Sequence, residues 1–248
     1  MIFNQNSLFR CLGIISCLVL GACDATVSEP TQPEIVTTAA EEVDPDSKGF
    51  ISAEFLSSLI KDNAAPPILD VRAIASFEES HIVSASSLPY GEYTDEDVSK
   101  LAGNNKSGLI VTYCGCPRHL SGLVAEQLRE KGFSDVRVLY EGYWYWKDNG
   151  YPVVEQSKSA RSTLKFEGQL VSDIGPVAGH NIFIRNLRND QLEATQTDEQ
   201  GKFQTGFEIL GYLESDQFAV TIDSPKATVR KLISGSPDEA HNLVVSTD

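Results

Sequence analysis

The chain has 248 residues, of which 41% are hydrophobic and 22% charged, so it is long enough for one large or two small hydrophobic cores. Its formal net charge of −15 argues against nucleic acid and anionic lipid as general partners, because an acidic surface repels both. Charge by itself selects no substrate.

The first 22 residues have the pattern of a secretory signal peptide. Arg10 precedes the apolar segment CLGIISCLVLGA, which is too short for a comfortable membrane span. The segment ends in LGAC, which resembles a bacterial lipobox and implies cleavage before Cys23 and lipidation of its sulfur. An ordinary secretory signal with an incidental cysteine is the alternative. We expect a protein held by lipid alone on the periplasmic side of the bacterial cell envelope, with the choice of inner or outer membrane open.

Residues 23–47 combine the lipidated cysteine with a linker rich in acidic residues, Pro, Thr and Ser, a composition that predicts a flexible tether. Cys11 and Cys17 would leave with the signal peptide, so Cys114 and Cys116 would be the remaining thiols. Two cysteines in an oxidising compartment do not make a disulfide-stapled scaffold.

Residues 48–157 alternate helical and strand patterns, which predicts an α/β domain with a mostly parallel sheet. The predicted helices include SAEFLSSLIKD with Ser52 as N-cap, DEDVSKLAG ending at Gly103, and LSGLVAEQLREKG with Gly132 as C-cap. The apolar runs PPILDVR, GLIVTYC and DVRVLYEG predict buried strands. ASFEES and YWYWKDNGYPV read as short helical turns.

Residues 158–248 consist of short alternating runs with turn signals between them, which predicts a small all-β sandwich of roughly seven strands. The segment TDEQGKF reads as a hairpin turn. The domain resembles the carboxypeptidase regulatory-like, transthyretin-like sandwich in GQLVSDIGPVAGHNIFI, TQTDEQGKF and FAVTI. We expect a spacer or a module that binds another envelope protein.

The segment TYCGCPRHLS carries the chemistry. Cys114 ends a predicted parallel strand and a helix follows, so the unpaired amides of the helix start favour its thiolate. Gly115 lets the loop amides turn inward as an anion nest, and Arg118 and His119 add positive groups. We expect Cys114 to attack a sulfur atom, Arg118 and the loop amides to hold an anionic donor, and His119 to assist. A buried structural cysteine is the alternative.

Three motifs in residues 49–155 resemble the rhodanese-like family: ILDVRAIASFEESHIVSASSLP, the cysteine loop, and GFSDVRVLYEGYWYWKDNGYPV. The resemblance implies an α/β fold with a five-stranded sheet and sulfurtransferase or sulfur-carrier chemistry of the thiosulfate:cyanide type. It implies Cys114 as the catalytic residue, and Asp70 and Arg72 as scaffold or site-rim residues. From the chemistry of the loop we expect Gly115, Cys116, Arg118 and His119 at the substrate. The partners would be a small sulfur-containing anion and a thiol acceptor, with no cofactor. The aromatic segment 140–146 would mainly pack near the site, with one ring at the pocket mouth.

The loop CGCPRHLS departs from the common family pattern, because it has a second cysteine and Pro117 supplies no amide N–H. Several alternatives therefore stay open. The domain could be a catalytically degenerate binding module, or Cys114 and Cys116 could exchange as a dithiol and disulfide or let Cys116 resolve a persulfide. A rhodanese-fold phosphatase is a further alternative, but this loop lacks the arginine that such an enzyme needs to grip the phosphate. Cys114, Cys116 and His119 are too few for a structural zinc site, so we expect no metal.

Overall fold

The computed structural model describes residues 46–47, 49–116, 118–156, 159–228, 230–234 and 240–247. The predicted signal peptide, Cys23, nearly all of the linker, Pro117 and the predicted domain boundary at 157 and 158 lie outside these ranges and stay predictions. All described residues belong to one compact unit, Val43–Asp248. Within them, none of the helices is long and apolar enough to cross a membrane.

The first part of the chain alternates strands and helices as the sequence predicts. In chain order the elements are β1 (Phe50–Ile51), α1 (Ala53–Lys61), β2 (Ile68–Asp70), α2 (Ile74–Glu79), β3 (Ser80–Ile82), β4 (Ala85–Ser87), α3 (Asp95–Ala102), β5 (Leu109–Tyr113), α4 (His119–Glu130), β6 (Asp135–Leu139), α5 (Gly142–Asp148) and β7 (Val153–Glu155).

Local sequence explains most helix ends. Ser52 caps α1 as predicted, because its hydroxyl accepts from the amide of Phe55 over 3.2 Å. Thr94 and Asp97 form a capping box at the start of α3. Helix α4 ends at Glu130 with Lys131 as its C-cap, and the predicted cap Gly132 lies one residue further on with a φ of 90°.

Five parallel strands form one sheet in the order β1-β6-β5-β2-β4, which confirms the predicted fold class. Successive residues of β5 pack into different cores, Ile110 with the residues of α3 and α4 and Val111 with those of α1 and α5. The strand is therefore buried on both faces, as its continuous apolar run predicts. Strands β3 and β7 pair separately as an antiparallel ribbon.

The second part of the chain is a β-sandwich. Its strands are β8 (Arg161–Ser172), β9 (Gly175–Pro176), β10 (Asn181–Asn186), β11 (Leu192–Gln196), β12 (Lys202–Leu210), β13 (Gln217–Ile222), β14 (Lys231–Ser234) and β15 (Ala240–Ser246). One antiparallel sheet has the order β11-β10-β13-β14, and β12-β8-β15 forms the other, in which β8 and β15 are parallel. Both sheets contribute to one apolar core.

The predicted hairpin at TDEQGKF is only partly right. The tight turn is present, because the amide of Gly201 donates to the carbonyl of Asp198 over 2.8 Å. The strands on either side then separate, since β11 pairs with β10 and β12 pairs with β8. The turn therefore links the two sheets of the sandwich.

The sandwich packs against the α/β part through β10 and β11. Residues of β10 alternate, because Ile182 and Ile184 enter the sandwich core while Phe183 enters the core that contains Cys114. Phe183 stacks on Tyr90 with ring centroids 5.6 Å apart, and β11 packs against α4. One apolar core thus spans both parts of the chain.

Candidate active site

Cys114 lies directly after β5, at its carboxyl end, and is 1% exposed. Its thiol donates to the backbone carbonyl of Cys116 (Sγ–O 3.0 Å), and its sulfur lies 3.3 Å from the hydroxyl of Ser121 in the first turn of α4. The carboxyl ends of parallel strands are where α/β sheets place their ligands, so the structure puts Cys114 where the sequence predicts it.

The start of α5 holds the loop that follows Cys114. The amide of Tyr143 donates to the carbonyl of Cys114 over 2.9 Å, and the amide of Trp144 donates to that of Gly115 over 3.3 Å. Gly142 has a φ of 79°, and a Cβ there would lie 2.9 Å from the backbone carbonyl of Cys116. The close approach and the positive φ both require glycine.

The pKa values of the two cysteines are shifted in opposite directions. A hydrogen bond from the Cys116 thiol lowers the pKa of Cys114 to about 7, and the bond with Ser121 adds to this, while burial and the charge of Asp70 oppose it. That same hydrogen bond to Cys114, together with burial and the nearby carboxyl of Glu193, raises the pKa of Cys116 well above its usual value. Cys114 is therefore the more acidic thiol of the pair, and it ionises before Cys116.

Cys116 contacts two further side chains. Its thiol donates to Oε2 of Glu193 over 3.1 Å, and its sulfur lies 3.2 Å from Nδ1 of His119. Burial and the neighbouring Arg118 lower the pKa of His119, so the imidazole is neutral near pH 7. Within the described ranges no group of three or more His, Cys, Asp or Glu side chains is arranged to hold a metal ion.

Gly115 is enclosed by two side chains. A Cβ there would lie 3.0 Å from Nε1 of Trp144 and 3.1 Å from Oε1 of Glu193. These residues and Arg72 line a cavity of about 10 Å³, close to what one water needs. Nε1 of Trp144 is buried without a hydrogen-bond partner among the described residues, so its N–H is available to a small species in the cavity. One ring of the aromatic segment thus lines the site, as expected.

Asp70 and Arg72 form a buried pair beside this cavity. Arg72 donates to both carboxylate oxygens of Asp70, with Nη2–Oδ2 at 2.6 Å, and to the carbonyl of Ser80, also at 2.6 Å. Its guanidinium lies 3.8 Å from the ring centre of Tyr143, and the hydroxyl of Tyr113 donates to Asp70 over 2.6 Å. This network stabilises the end of β2, and Arg72 also lines the cavity at Gly115. The site-rim role of the pair stays a prediction.

Arg118 lies apart from the two thiols. It adopts a left-handed conformation with a φ of 69° just before α4, and its guanidinium lies 4.8 Å from the ring centre of Tyr140. With His119 and Thr195 it also lines an interface cleft of about 200 Å³. Cys114, Gly115, Cys116 and His119 are thus brought together, whereas the guanidinium of Arg118 stacks on an aromatic ring. Its predicted role in binding the donor stays a prediction.

Comparisons with known proteins agree with this architecture. Residues 52–149 match the model of the rhodanese-like domain. The thiosulfate sulfurtransferase GlpE of Coxiella burnetii (strain RSA 493 / Nine Mile phase I) is 34% identical over 92 residues, which cover 37% of this chain and 80% of the relative. The chain belongs to the rhodanese-like family.

Solved structures similar to this rhodanese-like chain include the BH2092 protein of Bacillus halodurans, which is 27% identical. That match covers 42% of this chain and 74% of the other, with a TM-score of 0.38. The rhodanese-like domain of the Alr3790 protein from Anabaena sp. is 28% identical. It covers 46% of this chain and 81% of the other, again with a TM-score of 0.38.

Two further residues of this rhodanese-like site, Ser121 and Glu193, are not among the predicted ones. Ser121 stands in the quoted loop, and its place in the first helical turn is a signal that could have identified it. Glu193 comes from β11, 77 residues after Cys116, and no local pattern points to it. The β-sandwich contributes this side chain to the cysteine loop, and its role as a spacer or binding module stays a prediction.

Proposed function

We propose that this protein is a sulfurtransferase of the cell envelope in which Cys114 takes the outer sulfur of thiosulfate, or of a similar small sulfur anion, and passes it to a thiol. The observation that carries the proposal is the state of Cys114. Its thiol is buried at the end of β5 and its pKa is lowered to about 7, so much of it is thiolate near neutral pH. Similarity to a thiosulfate sulfurtransferase supports the choice of donor.

The chemical step is one displacement at sulfur. The Cys114 thiolate attacks the outer sulfur of thiosulfate, the sulfur–sulfur bond of the donor breaks, and sulfite leaves with the bonding electron pair. One thiolate and one thiosulfate thereby become one persulfide anion and one sulfite. A thiolate acceptor then attacks the outer sulfur of the persulfide and regenerates the Cys114 thiolate.

The predicted lipobox adds a location to the proposal. Acylation of Cys23 would tether the enzyme to a membrane on the periplasmic side, and the acidic linker would separate the domain from the lipid surface. Membrane attachment would then involve the acyl chains alone.

Intact mass spectrometry of the full chain, purified in detergent with and without thiosulfate, tests the proposal. We expect the untreated chain to begin at an acylated Cys23, and thiosulfate to add the mass of one sulfur atom. Cys114→Ser should abolish this gain and the formation of thiocyanate from thiosulfate and cyanide. Ser121→Ala should slow the gain, because Cys114 loses one of the hydrogen bonds that stabilise its thiolate.

The same spectra would also reveal any result that contradicts the proposal. A wild-type chain that gains no sulfur from thiosulfate or from a polysulfide would rule out the sulfurtransferase. Full sulfur gain in Cys114→Ser would show that another residue carries it. An N-terminus without lipid at Cys23 would remove the anchor and leave the enzyme proposal intact.

A further inference from the structure

The carboxyl of Glu193 reaches the cysteine loop from the β-sandwich. The residue is 3% exposed and lies on β11, the edge strand of its sheet, yet its Oε2 is 3.1 Å from Sγ of Cys116. Burying a carboxyl costs free energy, and an apolar side chain would fill the same interface without that cost. Packing alone therefore does not explain a carboxyl at this position, whereas its contact with the Cys116 thiol suits proton transfer.

The contacts form one continuous network from Glu193 to the sulfur-accepting cysteine. Glu193 accepts from the Cys116 thiol, and the Cys114 thiol donates to the backbone carbonyl of Cys116. The imidazole of His119 lies on the same sulfur of Cys116 at 3.2 Å. A proton on Cys116 is thus within hydrogen-bond distance of a carboxylate, which is the geometric requirement for a general base.

We propose that Glu193 is a catalytic residue that lets Cys116 resolve a persulfide on Cys114 and release sulfide. The inference rests on the proposed function, because it needs a persulfide on Cys114. It adds a fate for the sulfur that requires no acceptor in the first turnover, and it gives the β-sandwich a part in the chemistry.

The step is balanced in atoms and electrons. Glu193 takes the proton from Cys116, whose sulfur attacks Sγ of Cys114, and the bond between that Sγ and the outer sulfur breaks. The outer sulfur leaves with the bonding pair and receives the proton from Glu193 as hydrosulfide. The outer sulfur is reduced to sulfide and the two cysteines are oxidised to a disulfide. A reduced dithiol, such as a dithiol protein of the envelope, returns the pair to thiols.

The surroundings of Glu193 set its pH dependence. Burial raises its pKa to about 8, and the charges of Cys114 and Glu208 act in the same direction. The hydrogen bond from Cys116 and the charge of Arg72 oppose this rise. Because the carboxylate is the base, sulfide release should become faster as the pH rises through about 8.

Single-turnover experiments on the full chain test this role. The wild type and its variants are loaded with thiosulfate, freed of excess donor, and followed at several pH values for sulfide released and disulfide formed. Expressed per sulfur loaded, Glu193→Gln should release sulfide about 100-fold more slowly than the wild type, with no rise near about pH 8. Glu199→Gln is the matched control, because Glu199 is exposed in the turn after β11 and should leave release unchanged.

Glu193→Asp covers the case in which the amide variant folds poorly. It keeps an ionisable carboxyl further from Cys116, so we expect slower release that still rises with pH. Normal loading with wild-type release and pH profile in Glu193→Gln would overturn the role of Glu193 alone. A flat pH profile in a normally loaded Glu193→Asp would also overturn it. Failure of the wild type to load sulfur would overturn the proposed function as well.

Discussion

At the scale of single residues, the loop gives its two cysteines different thiol pKa values. Cys114 is the more acidic and Cys116 the less acidic thiol, because one hydrogen bond between them lowers the pKa of Cys114 and raises that of Cys116. The strand and helix patterns predicted the position of Cys114 and its neighbours. They could not predict Glu193, because its approach depends on how two separate sheets pack.

The shared hydrogen bond leads to a prediction for Cys116→Ala. Removing the donor should raise the pKa of Cys114 from about 7 toward its usual value, because this bond is the main cause of the shift. Alkylation of Cys114, followed by peptide mass spectrometry against pH, should then show a midpoint more than about one unit higher. Cys116→Ser keeps a hydroxyl donor and should retain most of the shift. An unchanged midpoint in Cys116→Ala would contradict this.

At the scale of elements, the start of α5 and the cysteine loop pack backbone to backbone. Gly142 allows this contact, since its positive φ turns the chain into α5 and a Cβ there would collide with the carbonyls of Gly115 and Cys116. Sequence periodicity predicted the longer helices and strands well. It missed β1, β3 and β7, because two or three residues are too few to show a period and tertiary pairing alone fixes them.

Gly142→Ala should therefore damage the site as well as the stability. The positive φ alone costs about 1–3 kcal/mol in a residue with a Cβ, and the contact with the loop carbonyls adds to this. We expect a lower midpoint in denaturant unfolding and much weaker sulfur loading of Cys114.

The matched control is Gly122→Ala in α4. A Cβ at Gly122 meets nothing within 4 Å, and alanine favours the helix, so this variant should gain about 0.5–1 kcal/mol. Equal stability of the two variants would contradict the prediction, because it would show that the cysteine loop shifts to make room for a Cβ at residue 142.

At the scale of the whole molecule, one apolar core joins the rhodanese-like part to the sandwich, and Phe183 is its largest buried side chain from the sandwich. Amphipathic alternation predicted the strands of the sandwich. It gave no sign that the second face of β10 is also covered. In a sequence, a single phenylalanine on that face looks the same whether it is buried or exposed. The docking of the two parts was therefore outside the reach of the sequence analysis.

Phe183→Ala tests whether the two parts unfold together. Loss of a buried phenylalanine costs about 3–5 kcal/mol. Both tryptophans of the chain, Trp144 and Trp146, lie in α5, so fluorescence reports the rhodanese-like part while the substitution is in the sandwich. We expect the fluorescence transition to shift to lower denaturant. Ile174→Ala, at a side chain that is 99% exposed, should leave it within about 0.5 kcal/mol. A transition unmoved by Phe183→Ala would mean that the parts unfold independently.

The position of Glu193 has a practical consequence for work on this protein. The family match ends at residue 149, so a shortened chain ending near there is an obvious choice for expression. Such a fragment would contain both cysteines and His119, but it would leave Cys116 without its carboxylate and expose the apolar surface that β10 and β11 cover. With Glu193 acting as proposed, sulfide release measured on the fragment would differ from that of the full chain, so assays of the rhodanese-like part need the β-sandwich as well.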